Sequence, residues 1–591
     1  APTMTSDGML HYKTADIPMG EFWLRSPTHD KPNDMLDAIS GAHIYGKPVI
    51  QAEAFTELRE AWDESPAMLK TLQDRNYALG INRMVFHVFT HNPWMDRKPG
   101  MTLGGVGTFL QRDQTWWPMA KAWIDYTQRC QWLLQQGRPV ADIAVFTGEE
   151  LPRRAVLPER LVSILPGLFG PDRVETETAR LSNTGEPTTK FPNGVVHSAN
   201  MADPTDWLDP LHGYAFDSFN PDALIRLARV HDGRIELPGG GSYALLVLPG
   251  ATPMTPDPGA MSIAIAKKLS QLVGDGATIL LDPNIHYHDS TVRAIMNRLL
   301  KNPRVLKGPY TAHTLTVPPD LIVGVHAPVF QMSPDPTGGN PIGITYTHRT
   351  APGMDIYFVS NQSDYPRSVN LSFRVTGRQP ECWDPVTGAI DTTLAWQVAD
   401  GRTLLHLGMA VHQSLFIVFR HKATAAEPVS RPTETNATTL AGPWTIRFDT
   451  AYGGPAQPIR SDTLPDWSRN PDTTIRYYSG SARYTTTFTA RRTGTTTLID
   501  LGKLADIATV AVNGIDCGTV WTNNKLDITK ALHPGTNEVR ITVANTWANR
   551  LTGDQRLPED RRRTWTSTPW RSDGHLLPAG LLGPVTLWQQ P

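Results

Sequence analysis

The sequence predicts a multidomain protein, α/β plus all-β, with part of a (β/α)8 barrel, a three-layer α/β domain and two β-sandwiches. From residue 1 to about 137, short apolar runs alternate with helical patterns, which is the rhythm of a barrel. From 138 to 310, continuous apolar runs such as Tyr243 to Pro249 alternate with helices, which is typical of a parallel sheet. After 311 the helical period disappears and alternating strands follow, separated by turn residues.

Residues 1–137 are predicted to form three strand-and-helix units. The helices cover Pro32–Tyr45, Pro66–Leu79 and Trp117–Gln136. A closed barrel needs eight such units and roughly 250 residues, and three units would leave an open sheet edge, which soluble proteins avoid. We therefore expect the C-terminal part of a catalytic (β/α)8 barrel, with the earlier strands supplied by an N-terminal remainder of the same polypeptide.

The later boundaries follow from shifts in pattern and composition. The predicted domains after residue 137 are a flavodoxin-like α/β domain over 138–310, a β-sandwich over 311–422, a linker over 423–441 and a galactose-binding-like jelly-roll sandwich over 442–591. A polar insertion near 175–200 is predicted to be a surface loop. The stretch Phe216 to Leu224 is predicted to begin a helix that Asn220 caps.

Composition excludes several classes of function. The formal net charge is -2 and the sequence pI is about 6.9, so no basic surface is available for nucleic acid or anionic membranes. The sequence contains no run of about eighteen apolar residues, so no helix that spans a membrane is predicted. Three widely spaced cysteines without a CxxC pair argue against a zinc site or a disulfide framework, while one disulfide stays open.

Two glutamates are the candidate catalytic residues. Glu21 and Glu53 each end an apolar run, about one strand-helix unit apart, so they are expected on successive strands at the same rim. Cleavage of a glycoside needs an acid for the leaving oxygen and a carboxylate for water or for the sugar. The alternative is that each is an ordinary rim carboxylate paired with Arg25 or Arg83.

A third apolar run and the segment after it carry polar and aromatic residues suited to a sugar. The candidate substrate-binding residues are His87, His91, Asn92, Trp94 and Trp117. Imidazole and amide groups bind hydroxyls, and indole faces stack on sugar rings. The structural alternative is a satisfied, hydrogen-bonded histidine for His87 and His91 and a core position for the tryptophans. The glycine-rich stretch Gly100 to Gly107 lacks phosphate-binding spacing, so we predict a close-approach loop over the substrate.

These motifs resemble glycoside hydrolase family 106, the α-L-rhamnosidases. The residues that carry the resemblance are 15–23, 52–56, 80–94, 99–102 and 113–117, and the similarity continues through 243–249. The final domain resembles the galactose-binding-like module of family 2 glycosidases, through Val512-Asn-Gly514 and the stretch 535–545. Together these segments extend over most of the chain.

The resemblance implies calcium-dependent, inverting removal of terminal α-L-rhamnose from plant or bacterial glycans or glycosides, in the periplasm or outside a bacterial cell. Inversion implies carboxylates about 6.5–9.5 Å apart. If the three units are the sixth to eighth of the barrel, Glu53 is the candidate base and Glu21 positions the water or binds a hydroxyl. The acid would then lie upstream of this chain. Calcium ligands stay unassigned, and the two glutamates are the nearby candidates.

Two alternatives stay open. The C-terminal module also suggests a retaining β-galactosidase or β-glucuronidase relative. A noncatalytic carbohydrate-binding protein is the alternative from another class. A nucleotide-binding role for residues 138–310 is disfavoured because no glycine fingerprint follows Phe146, so packing and assembly are expected there.

Overall fold

A computed structural model of the chain describes residues 6–24, 32–57, 62–104, 106–151, 153, 155, 157–158, 207–208, 214–248, 250–251, 257–308, 317–325, 343–423, 436–490, 496–567 and 574–589. The predicted insertion near 175–200 lies outside these residues, as do residues 424–435 of the predicted linker 423–441. The end of the predicted linker is a strand instead, Asn436–Thr439, because its backbone pairs with Thr586–Gln589. The chain divides into two compact units. The first consists of Ala1–Ala54, Gln73–Val85 and Arg129–Val429, and the second of Phe55–Leu72, Phe86–Gln128 and Ser430–Pro591.

The segment before residue 138 contains three helices and one three-stranded sheet. Their bounds are β1 (Met19–Trp23), α1 (Pro32–Tyr45), β2 (Gln51–Thr56), α2 (Pro66–Leu79), β3 (Arg83–Phe86) and α3 (Lys121–Leu134). The predicted bounds of α1 and α2 are confirmed. The third helix begins later than predicted because Pro118 lies in a separate 3-10 turn, Trp117–Met119.

The three strands lie in the order β1-β2-β3 and run parallel. Gln51 N donates to Pro18 O at 2.8 Å, and Arg83 N donates to Ile50 O at 3.1 Å. The starts of neighbouring strands therefore lie side by side, with a helix connecting each pair. These contacts show the sheet; its closure into a barrel stays a prediction.

Residues 138–310 contain a five-stranded parallel sheet. Its strands are β4 (Ile143–Phe146), β5 (Phe216–Phe219), β6 (Leu245–Leu248), β7 (Ile279–Leu281) and β8 (Val305–Lys307), with helices α4 (Ile263–Gly274) and α5 (Ser290–Leu299). The sheet order is β8-β7-β6-β4-β5, and every described pair is parallel. This order is that of flavodoxin-like folds. The strands β4, β6 and β7 are buried throughout, which explains their continuous apolar runs.

The stretch from Phe216 to Leu224 begins with a strand that the sequence does not predict. Residues Phe216–Phe219 form the edge strand β5, because their backbone pairs with β4 from Ile143 to Phe146. The predicted helix follows Asn220 and begins at Pro221. The predicted cap is confirmed, since Ala223 N donates to Asn220 Oδ1 at 2.8 Å. The helical element that follows is a single π turn over Ala223–Leu227.

The next domain is a β-sandwich within the first unit. One sheet contains Leu321–Val325, Arg367–Phe373, Arg402–Met409 and Trp396–Ala399, and the other contains Ile390–Asp391, Arg378–Trp383, Ser414–Lys422, Met354–Asn361, Ile344–Ala351 and Arg138–Pro139. Side chains from both sheets, among them Leu371, Tyr357 and Phe419, form one core. The last strand of the second sheet, Arg138–Pro139, ties the sandwich to the segment that follows α3.

The C-terminal domain is a second sandwich, within the second unit. Its four-stranded sheet contains Asn436–Thr439, Thr586–Gln589, Thr497–Asp500 and Lys525–Asp527, and its six-stranded sheet contains Ile459–Ser461, Trp444–Phe448, Ser481–Ala490, Gly535–Ala544, Ile507–Val512 and Ile515–Val520. Short helices cover Thr473–Arg476 and Ala548–Asp554. The three cysteines of the chain are all unbonded. No described helix has the length and hydropathy needed to cross a membrane.

Candidate active site

The two candidate catalytic glutamates occupy matching positions on β1 and β2. Gln51 N donates to Pro18 O, and the same parallel register continued along both strands brings Glu53 beside Glu21. Neighbouring strands lie about 4.8 Å apart. The two carboxylates are therefore neighbours on one face of the sheet, as the spacing of the apolar runs predicts.

That face points away from α1. A Cβ on Gly20 would lie 2.8 Å from Asp34 O and 2.9 Å from Met35 Sδ, so Gly20 packs directly on the helix. Side chains alternate along a strand, which turns Glu21 and its neighbour Glu53 to the opposite face, where both are half-buried.

On β3 the same register places two exposed residues on the glutamate-bearing face. Arg83 aligns with Gln51 because its N–H donates to Ile50 O, and Val85 then aligns with Glu53. Arg83 is exposed, and Val85 retains 40% of its accessible surface. In the described part of the chain, this face therefore combines a carboxylate pair with side chains that are accessible to a ligand.

The five candidate substrate-binding residues all belong to the second unit. His87 directly follows β3, and the chain there runs beside the glycine-rich stretch: Val88 N donates to Thr108 O at 2.7 Å, and Thr108 N to His87 O at 3.0 Å. Gly107 has a φ of +108, and a Cβ on it would lie 2.9 Å from His87 Nδ1. Gly107 therefore packs directly against the imidazole. The prediction that the glycine-rich stretch approaches and covers a substrate stays a prediction.

Replacing Gly107 with alanine should destabilise this loop. The new methyl group would lie 2.8 Å from Val88 Cγ1 and 2.9 Å from His87 Nδ1, in a backbone conformation that favours glycine. We expect a loss of about 1–3 kcal/mol, seen as a lower unfolding temperature. Gly104→Ala is the matched control, because Gly104 also has a positive φ but a Cβ there meets nothing within 4 Å. Equal shifts for the two variants would contradict the steric explanation.

Asn92 is buried and organises its own loop. Its side-chain Nδ2 donates to Asp113 Oδ2 at 2.9 Å and to Arg97 O at 3.1 Å. Its backbone carbonyl oxygen accepts from Arg112 Nη2 at 2.7 Å. A Cβ on Gly100 would lie 2.3 Å from Nδ2. Oδ1 is buried without a hydrogen-bond partner among the described residues. The side-chain oxygen Oδ1 of Asn92 can therefore still accept a hydrogen bond, whereas the side-chain nitrogen Nδ2 is already bonded.

Trp94 joins an aromatic and cationic cluster with the C-terminal sandwich. Its ring meets that of Trp565 edge to face, with centroids 5.3 Å apart. Arg97 Cζ lies 4.7 Å from the Trp94 centroid and 5.7 Å from the Trp565 centroid. Beside this cluster, Pro99–Gly100 pairs with Trp565–Thr566 as two short parallel strands. The cluster therefore fixes the half-buried Trp94 ring in place.

His91 and Trp117 occupy different settings. His91 is exposed. Trp117 is half-buried, and its ring centroid lies 6.0 Å from that of Trp116. Trp116 is fully buried, and its Nε1 donates to Glu64 O at 2.9 Å. Of the two adjacent tryptophans, Trp117 is thus the one accessible to a ligand, and Trp116 belongs to the core.

Sequence analysis does not identify three residues that hold this loop, namely Arg97, Asp113 and Trp565. Asp113 begins the stretch 113–117 that carries part of the family resemblance, and this signal could have identified it. Asp113 bonds to Asn92 through its side chain. Its backbone carbonyl oxygen accepts from Trp547 Nε1 of the C-terminal domain at 2.8 Å. Trp565 gives no local signal because it belongs to another domain.

Comparison with known proteins gives matches over nearly the whole chain. The family model described as alpha-L-rhamnosidase, glycoside hydrolase family 106, matches residues 2–190 and 198–397. The model of the glycosyl hydrolase 2 galactose-binding domain-like family matches residues 460–574. The first match covers more than half of the chain, and the second lies in the C-terminal sandwich.

Two individual proteins are also similar. The structure of a rhamnosidase from Novosphingobium sp. PP1Y superimposes with a TM-score of 0.79 at 31% identity, covering 99% of this chain and 52% of that one. A putative beta-glucuronidase from Formosa agariphila is 32% identical over 423 residues, which is 70% of this chain and 30% of that protein. The chain thus spans about half the length of the first relative and under a third of the second.

Proposed function

The chain belongs to the α-L-rhamnosidase family, glycoside hydrolase family 106, and on that premise we propose that it takes part in removing terminal α-L-rhamnose from plant or bacterial glycans or glycosides. The observation that carries the proposal is the carboxylate pair, Glu21 beside Glu53, on a face of the β1-β2-β3 sheet that also presents exposed side chains. Carboxylates are the groups that glycoside hydrolysis uses as acid, base or nucleophile.

In the proposed inverting reaction, Glu53 is the general base. Water attacks the anomeric carbon from the face opposite the leaving group and gives its proton to Glu53, while an acid protonates the departing glycosidic oxygen. Glu21, on the neighbouring strand β1, is proposed to position the water or to bind a hydroxyl, and the acid is assigned to no residue of this chain.

We propose that further polypeptide supplies the acid and the strands that would complete a (β/α)8 barrel. The support is the sheet itself, whose three strands leave part of the glutamate-bearing face exposed. The five candidates of the second unit keep their proposed role as sugar contacts. For Asn92 the proposed contact requires Oδ1 to become accessible, because Nδ2 is bonded within its loop and Oδ1 is buried. A periplasmic or secreted location suits a substrate of this kind.

Calcium is the proposed cofactor, but the described residues do not complete a site for it. Calcium takes about six to eight oxygen ligands. Glu21 and Glu53 supply oxygens of the right chemistry, yet among the described residues no three or more acidic, histidine or cysteine side chains are arranged so that they could hold a metal ion. The roles proposed for the two glutamates are therefore derived without the metal.

A substrate that needs no acid separates the proposed base from the unassigned acid. Fluoride leaves without protonation, whereas the alcohol of an alkyl α-L-rhamnoside needs a general acid. The rate acceleration over uncatalysed hydrolysis should therefore be about 100-fold larger for α-L-rhamnosyl fluoride than for the alkyl rhamnoside. Proton NMR of the first product should show β-L-rhamnose, the inverted anomer. Release of α-L-rhamnose first would overturn inversion, and comparable acceleration of both substrates would place an acid within the chain.

Two alternatives rest on specific observations. The relative from Formosa agariphila bears the name putative beta-glucuronidase, so p-nitrophenyl β-D-glucuronide and β-D-galactoside belong in the same assay. Faster hydrolysis of either one than of the rhamnoside would replace the proposed substrate. Rhamnose binding without hydrolysis of the fluoride would favour the noncatalytic carbohydrate-binding alternative.

A further inference from the structure

A small polar cavity lies within the first unit, between the end of α1 and the α/β domain. Its volume is about 90 Å³, which is enough for a few water molecules or one small ion. It is lined by glycines and by a group of ionisable side chains. The ionisable side chains around it are His43, Lys47, Arg138, Asp217, Tyr243 and Arg349.

One wall of the cavity is a fixed histidine. Asp217 Oδ1 lies 2.6 Å from His43 Nδ1, and Asp217 Oδ2 accepts from the Tyr243 hydroxyl at 2.7 Å. An ionised carboxylate only accepts hydrogen bonds, so Nδ1 is the donor and the ring is held in one orientation. The His43 side chain is 10% exposed, and its Nε2 is buried without a partner in the described part of the chain. An unsatisfied buried nitrogen of this kind calls for a ligand.

A second wall is a buried guanidinium that has no counter-ion among the described residues. Arg349 is 5% exposed, and within the described part of the chain its hydrogen bonds end on two backbone carbonyls, from Nε to Gln136 O at 2.7 Å and from Nη2 to Gly137 O at 2.8 Å. Burial lowers the pKa of Arg349 to about 10, since no carboxylate among the described residues offsets its desolvation. A buried cation that only carbonyl oxygens compensate is a costly arrangement.

The charge around the cavity is positive. Lys47 and Arg138 line it together with Arg349, whereas Asp217 is the one carboxylate among the lining residues and is already bonded to His43 and Tyr243. Three cations therefore face one engaged anion. This balance favours an anionic ligand over a neutral or cationic one.

Glycines leave the space open. Gly46 and Gly239 approach so closely that a Cβ on Gly46 would lie 2.8 Å from Gly239 Cα, and a Cβ on Gly239 would lie 2.4 Å from Gly46 Cα. Gly46 also has a positive φ, +69. The two loops can therefore meet backbone to backbone beside the cationic side chains, which leaves room that larger residues would fill.

We propose that this cavity is a binding site for a small oxyanion that keeps a hydroxyl group, such as hydrogen phosphate, whose O–H donates to His43 Nε2 and whose charged oxygens accept from the cationic groups of Lys47 and Arg349. The ligand would supply the negative charge that the buried guanidinium lacks and a partner for the unsatisfied imidazole nitrogen. This site is independent of the proposed glycosidase function.

The test uses inorganic phosphate as the probe. We expect calorimetric titration of the chain to show one phosphate site that chloride at matched ionic strength does not fill. Lys47→Gln should weaken phosphate binding by at least about fivefold through the lost charge, whereas Lys267→Gln, an exposed lysine on α4, should change it less than about twofold. His43→Gln should also weaken it, because its side chain cannot reproduce the imidazole geometry.

Three results would overturn the proposal. They are an absence of phosphate-specific binding, equal weakening by the Lys47 and Lys267 variants, and a crystal soaked in arsenate whose anomalous density does not lie beside His43 Nε2. The variants avoid Arg349, whose bonds to Gln136 and Gly137 hold the backbone. A folded Lys47→Gln protein, checked by its unchanged unfolding temperature without phosphate, keeps the comparison decisive.

Discussion

Glu53→Gln is expected to lower the rate of α-L-rhamnosyl fluoride hydrolysis by about 1,000-fold while leaving rhamnose binding within about threefold of the parent, because a general base contributes roughly 10²–10⁴ in rate. Glutamine keeps the shape of glutamate and one of its oxygens, but its amide does not accept the proton of the attacking water. The side chain lies half-buried on β2 beside Glu21, so a neutral replacement of equal size should not disturb the strand.

The measurement is kcat and KM for the fluoride, together with a separate titration of rhamnose. A loss in kcat with unchanged binding identifies an interaction made in the transition state. Glu21→Gln should cost less, roughly 10- to 100-fold, because a residue that orients water leaves the base intact. Glu236→Gln, in a short strand of the α/β domain, is the control and should be neutral. Turnover of the Glu53 variant within about tenfold of the parent would refute the assignment as base.

Elements with a strong local period could be predicted from sequence. Helices α1 and α2 each begin at a proline, which suits the first helical turn, and their bounds agree with the structure. Strand β5 could not be recognised because its four residues are too short to show a period. Its pairing with β4 decides the conformation there.

The candidate site was predictable to the same degree. The position of Glu21 beside Glu53 follows from two strands of similar length and a side-chain period of two. The edge-to-face pair of Trp94 with Trp565 could not be predicted, because the two residues belong to different domains and no pattern links them. Asn92 is predicted as a sugar contact. The hydrogen bond from its amide nitrogen to Asp113 requires the loop to fold back on itself, and no sequence period predicts that.

Asp506→Asn is expected to stabilise the second unit at neutral and alkaline pH. Asp506 as a whole residue is half-buried, but its carboxyl group is enclosed beside Asp63 and hydrogen-bonded to Ser65. Burial is the largest effect on this carboxyl, and the nearby Asp63 charge adds to it. Together they raise the pKa of Asp506 from 3.8 to about 7. The folded protein thus holds a proton here that the unfolded chain releases.

The sign of the pH dependence follows from proton linkage. Between pH 4 and pH 7 the folded state binds more protons at this site than the unfolded state, so stability falls as the pH rises through that window and then levels off. Asparagine has no such titration. The advantage of the variant over the parent should therefore grow by roughly 2–3 kcal/mol from pH 5 to pH 8.

Scanning calorimetry at pH 5, 6, 7 and 8 tests this expectation through the transition that includes the second unit. A difference of this size should raise the unfolding temperature of the variant relative to the parent by about 2–4 °C per kcal/mol. Asp560→Asn, an exposed aspartate of the same sandwich, is the matched control and should give a difference that does not change with pH. A pH-independent difference for the Asp506 variant would mean that the carboxyl is not held protonated in the folded protein. A variant that becomes less stable than the parent as the pH rises would reverse the sign of the linkage and show that the charged form is favoured by its neighbours Ser65 and Thr546.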